Sequence, residues 1–279
     1  MLSPPSSVAA DRPAGPAGES DPDFVAFRDL VIEFGTGEWT VRALDRISLT
    51  FARGEFVCIV GPSGCGKTTM MQTLAGFLAP TSGRVEVEGK PVGPPGPDRG
   101  VVFQQPALYP WLTVEANAGF GPRMRGIGRA ETAETVAHYL KLAGLWEFRA
   151  RYPYELSGGM QQRLAIVRAL ANHPRLLLMD EPFGALDALT REKMQEELHG
   201  VWRRTGMTIL FITHSVEEAV YLGTQVVVMS PRPGRILETI AVPFARQAGD
   251  RDIRAIKGSA DFVATRERVL SLIWGMAHD

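Results

Sequence analysis

Cysteine is nearly absent from this chain. Among 279 residues only Cys58 and Cys65 occur, one in an apolar run and the other in a glycine-rich loop. A disulfide framework is therefore excluded, and a reducing, cytosolic compartment is expected. A long hydrophobic run is missing too. No stretch approaches the ~20 apolar residues that cross a bilayer. The N-terminus has no basic start followed by an apolar segment, so no secretory signal is expected. Neither charge is in excess: Lys and Arg number 30 against 31 Asp and Glu, so a nucleic-acid-binding surface, which needs a basic surplus, is not expected. If such a chain works at a membrane, a partner must hold it there. What the sequence does have is a hydrophobic fraction of 45%, enough for a sizeable core.

Residues 1–22 are rich in Pro, Ala, Ser and Gly, with almost no large apolar side chains. Such a segment cannot bury enough surface to order itself, so a disordered tail is expected. From Asp23 to Phe51 apolar and polar residues alternate: Ile47, Leu49 and Phe51 fall on one face, Ser48 and Thr50 on the other, the period of half-buried strands. Residues 84–88, RVEVE, repeat the pattern, and both predict an antiparallel sheet. Residues 91–99 read as a loop. Helical patterns then dominate a stretch of about 108–165. Met160, Leu164, Val167 and Ala171 fall at helical spacing before Pro174. The unbroken apolar runs Phe56–Val60, Leu176–Met179, Thr208–Ile212 and Val226–Met229 alternate with helices, which predicts a mainly parallel sheet covered on both faces. The expected layout is a core over 23–245, with a helical subdomain inserted at about 108–165. Residues 246–279 form an extension that packs on the core, with a loop at Arg251–Arg254 and a helix over Val263–Trp274.

Two constellations carry chemistry. Residues 61–69 read GPSGCGKTT. Gly61, Pro62, Ser63, Gly64, Cys65, Gly66, Lys67, Thr68 and Thr69 form a phosphate-binding loop between an apolar strand and a helix, the setting that motif requires. Backbone N–H groups would surround the phosphates, Lys67 would supply a point charge, and Thr68 would offer a hydroxyl to Mg2+. A glycine-rich turn without a ligand is the competing reading; the flanking strand and helix argue against it. Cys65, at a helix start beside the phosphates, is expected to be a thiol that reagents reach and ATP protects. The second constellation is Asp180-Glu181 at the carboxyl end of an apolar strand, where open α/β sheets place ligands. One carboxylate near Mg2+ and one to orient water is what a hydrolysing NTPase needs.

Residues 156–163, LSGGMQQR, form a helix start with exposed backbone that can bind an anion. They also match the signature motif of ABC-type ATPases, and the chain is identified as resembling that family. The resemblance covers roughly residues 24–245. It implies signature contacts from Ser157, Gly158, Gly159 and Gln161 to ATP. Gln104 in VVFQQ resembles the Q-loop glutamine, Asp180 and Glu181 the Walker B aspartate and catalytic glutamate. Asp187 in GALD resembles the D-loop aspartate and His214 in FITH the switch histidine. Phe34 in IEFG is the aromatic expected to stack on adenine, with nearby Trp39 as competitor. Ser215 stands where many relatives have aspartate, which leaves His214 intact.

The resemblance implies an α/β phosphate-loop NTPase of ABC type, an antiparallel β subdomain, and ATP and Mg2+ as ligands, the metal held by Thr68, Gln104 and Asp180. Lys67, Gln104, Glu181 and His214 would be catalytic. It further implies a dimer with itself or a similar ATPase, membrane permease subunits, and indirectly a solute-binding protein. The chain would then sit on the cytoplasmic face of the membrane. The loops GPDRGVVFQQPALYPWLTV and VVVMSPRPGRI resemble importer ATPases for nitrate, sulfonates and taurine. In the segment Gln105–Trp111, Leu108, Tyr109 and Trp111 are candidate permease contacts. The rival readings are a soluble ABC-type ATPase acting on nucleic acid or ribosomes, which would need long insertions or basic arms, and the ATPase of an exporter.

Overall fold

Five-residue apolar runs become the strands of a six-stranded sheet, and the alternating segments become a second, four-stranded one. The computed structural model describes residues 22–247 and 253–276, apart from the side chain of Glu38. The expected disordered tail, but for residue 22, and the Arg251-Asp252 part of the expected loop lie outside the described residues. The smaller sheet is antiparallel, in the order β2-β1-β4-β5, from β1 (Val25–Phe34), β2 (Val41–Phe51), β4 (Ser82–Val87) and β5 (Lys90–Pro91). Ile47, Leu49 and Phe51 are buried, and Ser48 and Thr50 exposed, as the period of two requires.

The larger sheet runs β10-β9-β3-β8-β7-β6. It is built from β3 (Phe56–Val60), β6 (Arg99–Val102), β7 (Leu176–Asp180), β8 (Thr208–Ile212), β9 (Gln225–Met229) and β10 (Ile236–Ala241). All its pairs are parallel except β9 with β10. Alternate residues of β3 serve opposite faces. Phe56, Cys58 and Val60 join a cluster with Leu164, Leu198 and Val220. Val57 and Ile59 join Met70, Leu74 and Phe27. The sheet is thus buried on both sides, which explains why its strands read as unbroken apolar runs.

Helices fill the two layers. On one side lies α1 (Lys67–Ala75) with the antiparallel sheet. Between β6 and β7 come α2 (Val114–Ala118), α3 (Phe120–Met124), α4 (Arg129–Leu142) and α5 (Gly158–Leu170). After β7 follow α6 (Ala188–Thr205), α7 (Val216–Leu222), α8 (Phe244–Gln247), α9 (Ile253–Lys257) and α10 (Ala260–Gly275). In α10, Val269 is fully buried and Leu270, Leu272 and Ile273 pack against the larger cluster.

The register decides where chemistry can occur. Ile59 pairs with Ile212, and Ile212 with Asp180. The carboxyl ends of three adjacent strands therefore stop at one level, and Gly61, Glu181 and Thr213-His214 all emerge at the same edge. Short polar residues start the helices that leave it: Ser157, Asp187 and Ser215 each cap the next helix by accepting a backbone N–H with the side chain.

Candidate active site

The phosphate loop is shaped by its glycines and tied by its lysine. Gly66, at φ 96°, adopts the left-handed conformation just before α1. A Cβ there would sit 2.5 Å from Leu44 Cδ2, so only glycine fits. Lys67 is buried, and its ammonium donates to the carbonyls of Gly61 and Pro62, both at 2.9 Å. Gly61 and Pro62 thus serve through their backbone, and the cation is held inside the loop where phosphates would lie.

Asp180 and Glu181 are adjacent but differ in surroundings. Asp180 is buried and accepts the Thr68 hydroxyl at 2.8 Å. Burial raises its pKa above the ordinary aspartate range, and the Thr68 hydrogen bond opposes the shift. Glu181 has φ 47°, an unfavourable conformation for a residue with a side chain. Its N–H is held by the Ile212 carbonyl at 2.9 Å. The carboxylate reaches two groups: Oε1 lies 2.5 Å from His214 Nε2, and Oε2 accepts Gln104 Nε2 at 3.2 Å. Loops after three strands, β6, β7 and β8, thus converge on one carboxylate.

Glu181, Gln104 and His214, but not Asp180, border a cleft of about 580 Å³. Of the residues chosen from sequence, Phe34, Ser63, Gly64, Gly66, Lys67, Thr68, Thr69, Gln104, Glu181 and His214 line it. Phe34 stands at its wall, 46% exposed, whereas Trp39 is 85% exposed and is not part of the lining. Phe34, the expected aromatic, thus borders the cleft and its competitor Trp39 does not. Cys65 is a correction. Its side chain is completely buried in the core cluster with Leu74 and Met229, so the thiol is not presented to reagents in the cleft.

Arg232, which sequence reasoning passed over, also lines the cleft. Its Nε donates to the Gly64 carbonyl at 3.1 Å. The loop that carries it is fixed to β2 by Gly234 N–H to Ala43 O at 2.9 Å and Asp45 N–H to Gly234 O at 3.0 Å. A basic residue in the turn after β9, a strand parallel to β3, was the available signal, because that turn emerges at the ligand-bearing edge.

Ser157, Gly158, Gly159, Gln161 and Asp187 do not border this cleft. Ser157 is exposed, with its hydroxyl accepting Met160 N–H at 3.3 Å. A Cβ added to Gly158 would meet nothing within 4 Å, while one on Gly159 would touch Leu186 at 3.2 Å. Gln161 is a second correction. Its amide nitrogen donates back to the carbonyls of Pro153 (3.0 Å) and Leu156 (3.2 Å), so that nitrogen braces the loop before α5 and is not free for a ligand. Asp187 caps α6 by accepting Thr190 N–H at 3.0 Å. The aromatic pair of the Gln105–Trp111 segment divides: Tyr109 packs against Phe120 with ring centres 4.5 Å apart and planes tilted by 43°, with Arg168 over its ring, while Trp111 is 71% exposed. Tyr109 thus packs the loop, and only Trp111 is presented outward.

The chain matches the ABC transporter family model over residues 44–184. It is 50% identical over 256 residues, 91% of this chain and 96% of the relative, to the taurine import ATP-binding protein TauB of Jannaschia sp. (strain CCS1). The protein of the same name in Chromobacterium violaceum is 52% identical over 231 residues, 82% of this chain and 88% of its own. Among solved structures, a dimeric ATP-binding cassette, MJ0796, in a post-hydrolysis state bound to ADP and Pi, superposes with a TM-score of 0.70 at 32% identity. That match covers 78% of this chain and 98% of the cassette.

Proposed function

The chain belongs to the ABC transporter family of ATPases, and we propose that it is the ATP-hydrolysing subunit of an importer for taurine or a similar small anion such as a sulfonate or nitrate. It would work as a dimer beneath a separate permease on the cytoplasmic face of the membrane, supplied by a solute-binding protein. The importer reading is supported by the two taurine import relatives, each about half identical to the chain over most of its length. No helix among the described residues is long and apolar enough to cross a membrane, which agrees with a separate permease.

One observation carries the dimer: the signature residues lie outside the cleft, and Gly158 faces open space. Nothing among the described residues requires glycine there, whereas close approach of another molecule's phosphate would. Ser157 and the N–H groups of Gly158 and Gly159, at the positive end of α5, would complete the phosphate site of a second copy. ATP would then hold two chains together in a head-to-tail pair, and its hydrolysis would release them.

The donors at the cleft fit Mg2+. Among the described residues there is no group of three or more His, Cys, Asp or Glu that could hold a metal, so a cation would rest on few protein ligands plus phosphate and water, as Mg2+ does. The Thr68 hydroxyl and the Gln104 amide oxygen would hold it, with the desolvated Asp180 carboxylate, already bonded to Thr68, acting through water. Bound Mg2+ supplies positive charge to the phosphates during transfer. Lys67 adds charge at the β and γ phosphates, and Phe34 stacks on adenine. Glu181 polarises the attacking water as general base, and His214 contacts the γ-phosphate.

The test is a pull-down of the tagged Glu181→Gln chain from detergent-solubilised membranes of its own cell, followed by uptake measurements on the permease recovered. The expected result is one multi-span permease whose wild-type complex takes up taurine or a related anion when ATP is hydrolysed. Recovery of ribosomes, DNA or soluble proteins alone would contradict the transport reading.

A further inference from the structure

Behind the cleft lies a buried carboxylate that the chemistry above does not use. Glu218, on α7, is only 6% exposed. Burial raises its pKa, and the hydrogen bonds it accepts oppose that shift. A buried carboxylate costs stability unless its partners compensate, so its contacts point to a task.

Those contacts divide between its two oxygens. Oε2 accepts the Thr213 hydroxyl at 2.5 Å. The same hydroxyl oxygen accepts the Ser215 N–H at 3.0 Å, and Ser215 Oγ accepts the Glu218 N–H at 3.2 Å. A hydroxyl has one proton, so donating it to Glu218 directs its lone pairs toward Ser215. The residues on both sides of His214 are thereby fixed by one carboxylate. Oε1 accepts Gln195 Nε2 at 3.1 Å and lies 3.8 Å from Arg191 Nε, both on α6. Arg191 in turn donates to the Leu186 carbonyl at 2.9 Å, and Leu186 is the side chain that lies against Gly159. Lys257, on α9, closes the far side through Glu217 at 2.8 Å and Gln195 at 3.4 Å.

We propose that Glu218 is a positioning residue for ATP hydrolysis, which locks the Thr213–Ser215 turn that aims His214 and ties that turn to the start of α6 beside the signature motif. The inference rests on the reading that His214 acts at the γ-phosphate. A change in the α6 start would then be felt at His214, because both share one buried carboxylate.

The experiment is a double-mutant cycle on single-turnover ATP hydrolysis with Glu218→Gln, His214→Ala and the double variant, together with ATP affinity and melting temperature for each. Gln keeps the volume and one acceptor but loses the charge and the second acceptor. Glu218→Gln should slow hydrolysis by about tenfold, the size of one misplaced charge-assisted hydrogen bond. ATP affinity should stay within about twofold and the fold should stay intact. In the His214→Ala background the same change should have little further effect, because the residue acts through His214. Equal slowing in both backgrounds, no slowing, or slowing that tracks a lost melting temperature would overturn the proposal. If His214→Ala itself leaves hydrolysis unchanged, the assignment of His214 falls and this proposal with it. If His214→Ala is slow and Glu218→Gln is normal, only this proposal falls.

Discussion

At the scale of the residue, adjacent carboxylates are made unlike by their neighbours. Asp180 is turned inward against Thr68 and desolvated, whereas Glu181, in a left-handed backbone conformation, is turned outward to His214 and Gln104. The first suits a metal ligand and the second a base at the cleft. Because burial raises the folded-state pKa of Asp180, the folded chain holds that proton more tightly than the unfolded chain. Stability from this group is therefore full below the unfolded value and is lost as pH rises through the folded one. Asp180→Asn removes that loss. In calorimetry without nucleotide or metal, it should raise the melting temperature by a few degrees at about pH 8, with the gain vanishing near about pH 4. A lower melting temperature at about pH 8 would contradict the assignment. The same variant should lose Mg2+-dependent turnover.

At the scale of the element, α5 shows what sequence can and cannot say. Its cap Ser157 and its apolar spacing were legible, since both are local properties of the chain. So were the buried strands, because a sheet covered on both faces leaves unbroken apolar runs. Strand β10 was not foreseen: among the described residues it pairs on one side only, and Glu238 and Thr239 interrupt its apolar residues and leave no run to find. Side-chain direction was equally hidden. The phosphate-loop motif named Cys65 and the signature named Gln161, yet one points into the core and the other back to Pro153. Residue type and spacing fix which atoms are near the loop, while the tertiary packing decides which of them face it. Arg232 was missed for the converse reason, since its place depends on a contact between β2 and the loop after β9. The open space at Gly158 yields a prediction for α5. Gly158→Ala should leave the melting temperature and ATP affinity of the isolated chain unchanged, yet slow turnover by about a hundredfold, as misplaced phosphate contacts do. Loss of folding stability with normal turnover would show that glycine serves this chain alone.

At the scale of the whole molecule, the two halves of the proposed site are separate. The cleft holds Lys67, Glu181 and His214, while Ser157, Gly158 and Gly159 belong to a separate surface beginning α5. Two copies in head-to-tail arrangement would join cleft to signature twice, with α5 dipoles aimed at the phosphates. The buried links from His214 through Glu218 to α6 offer a route by which the two surfaces could move together. The most direct test is sedimentation of the Glu181→Gln chain with ATP and Mg2+, with and without Ser157→Arg. A stable dimer that contains two ATP molecules, falls apart on the second substitution and never forms with ADP is the predicted result. A chain that binds ATP tightly yet stays monomeric, or dimerises equally well with Ser157→Arg, would contradict the composite site.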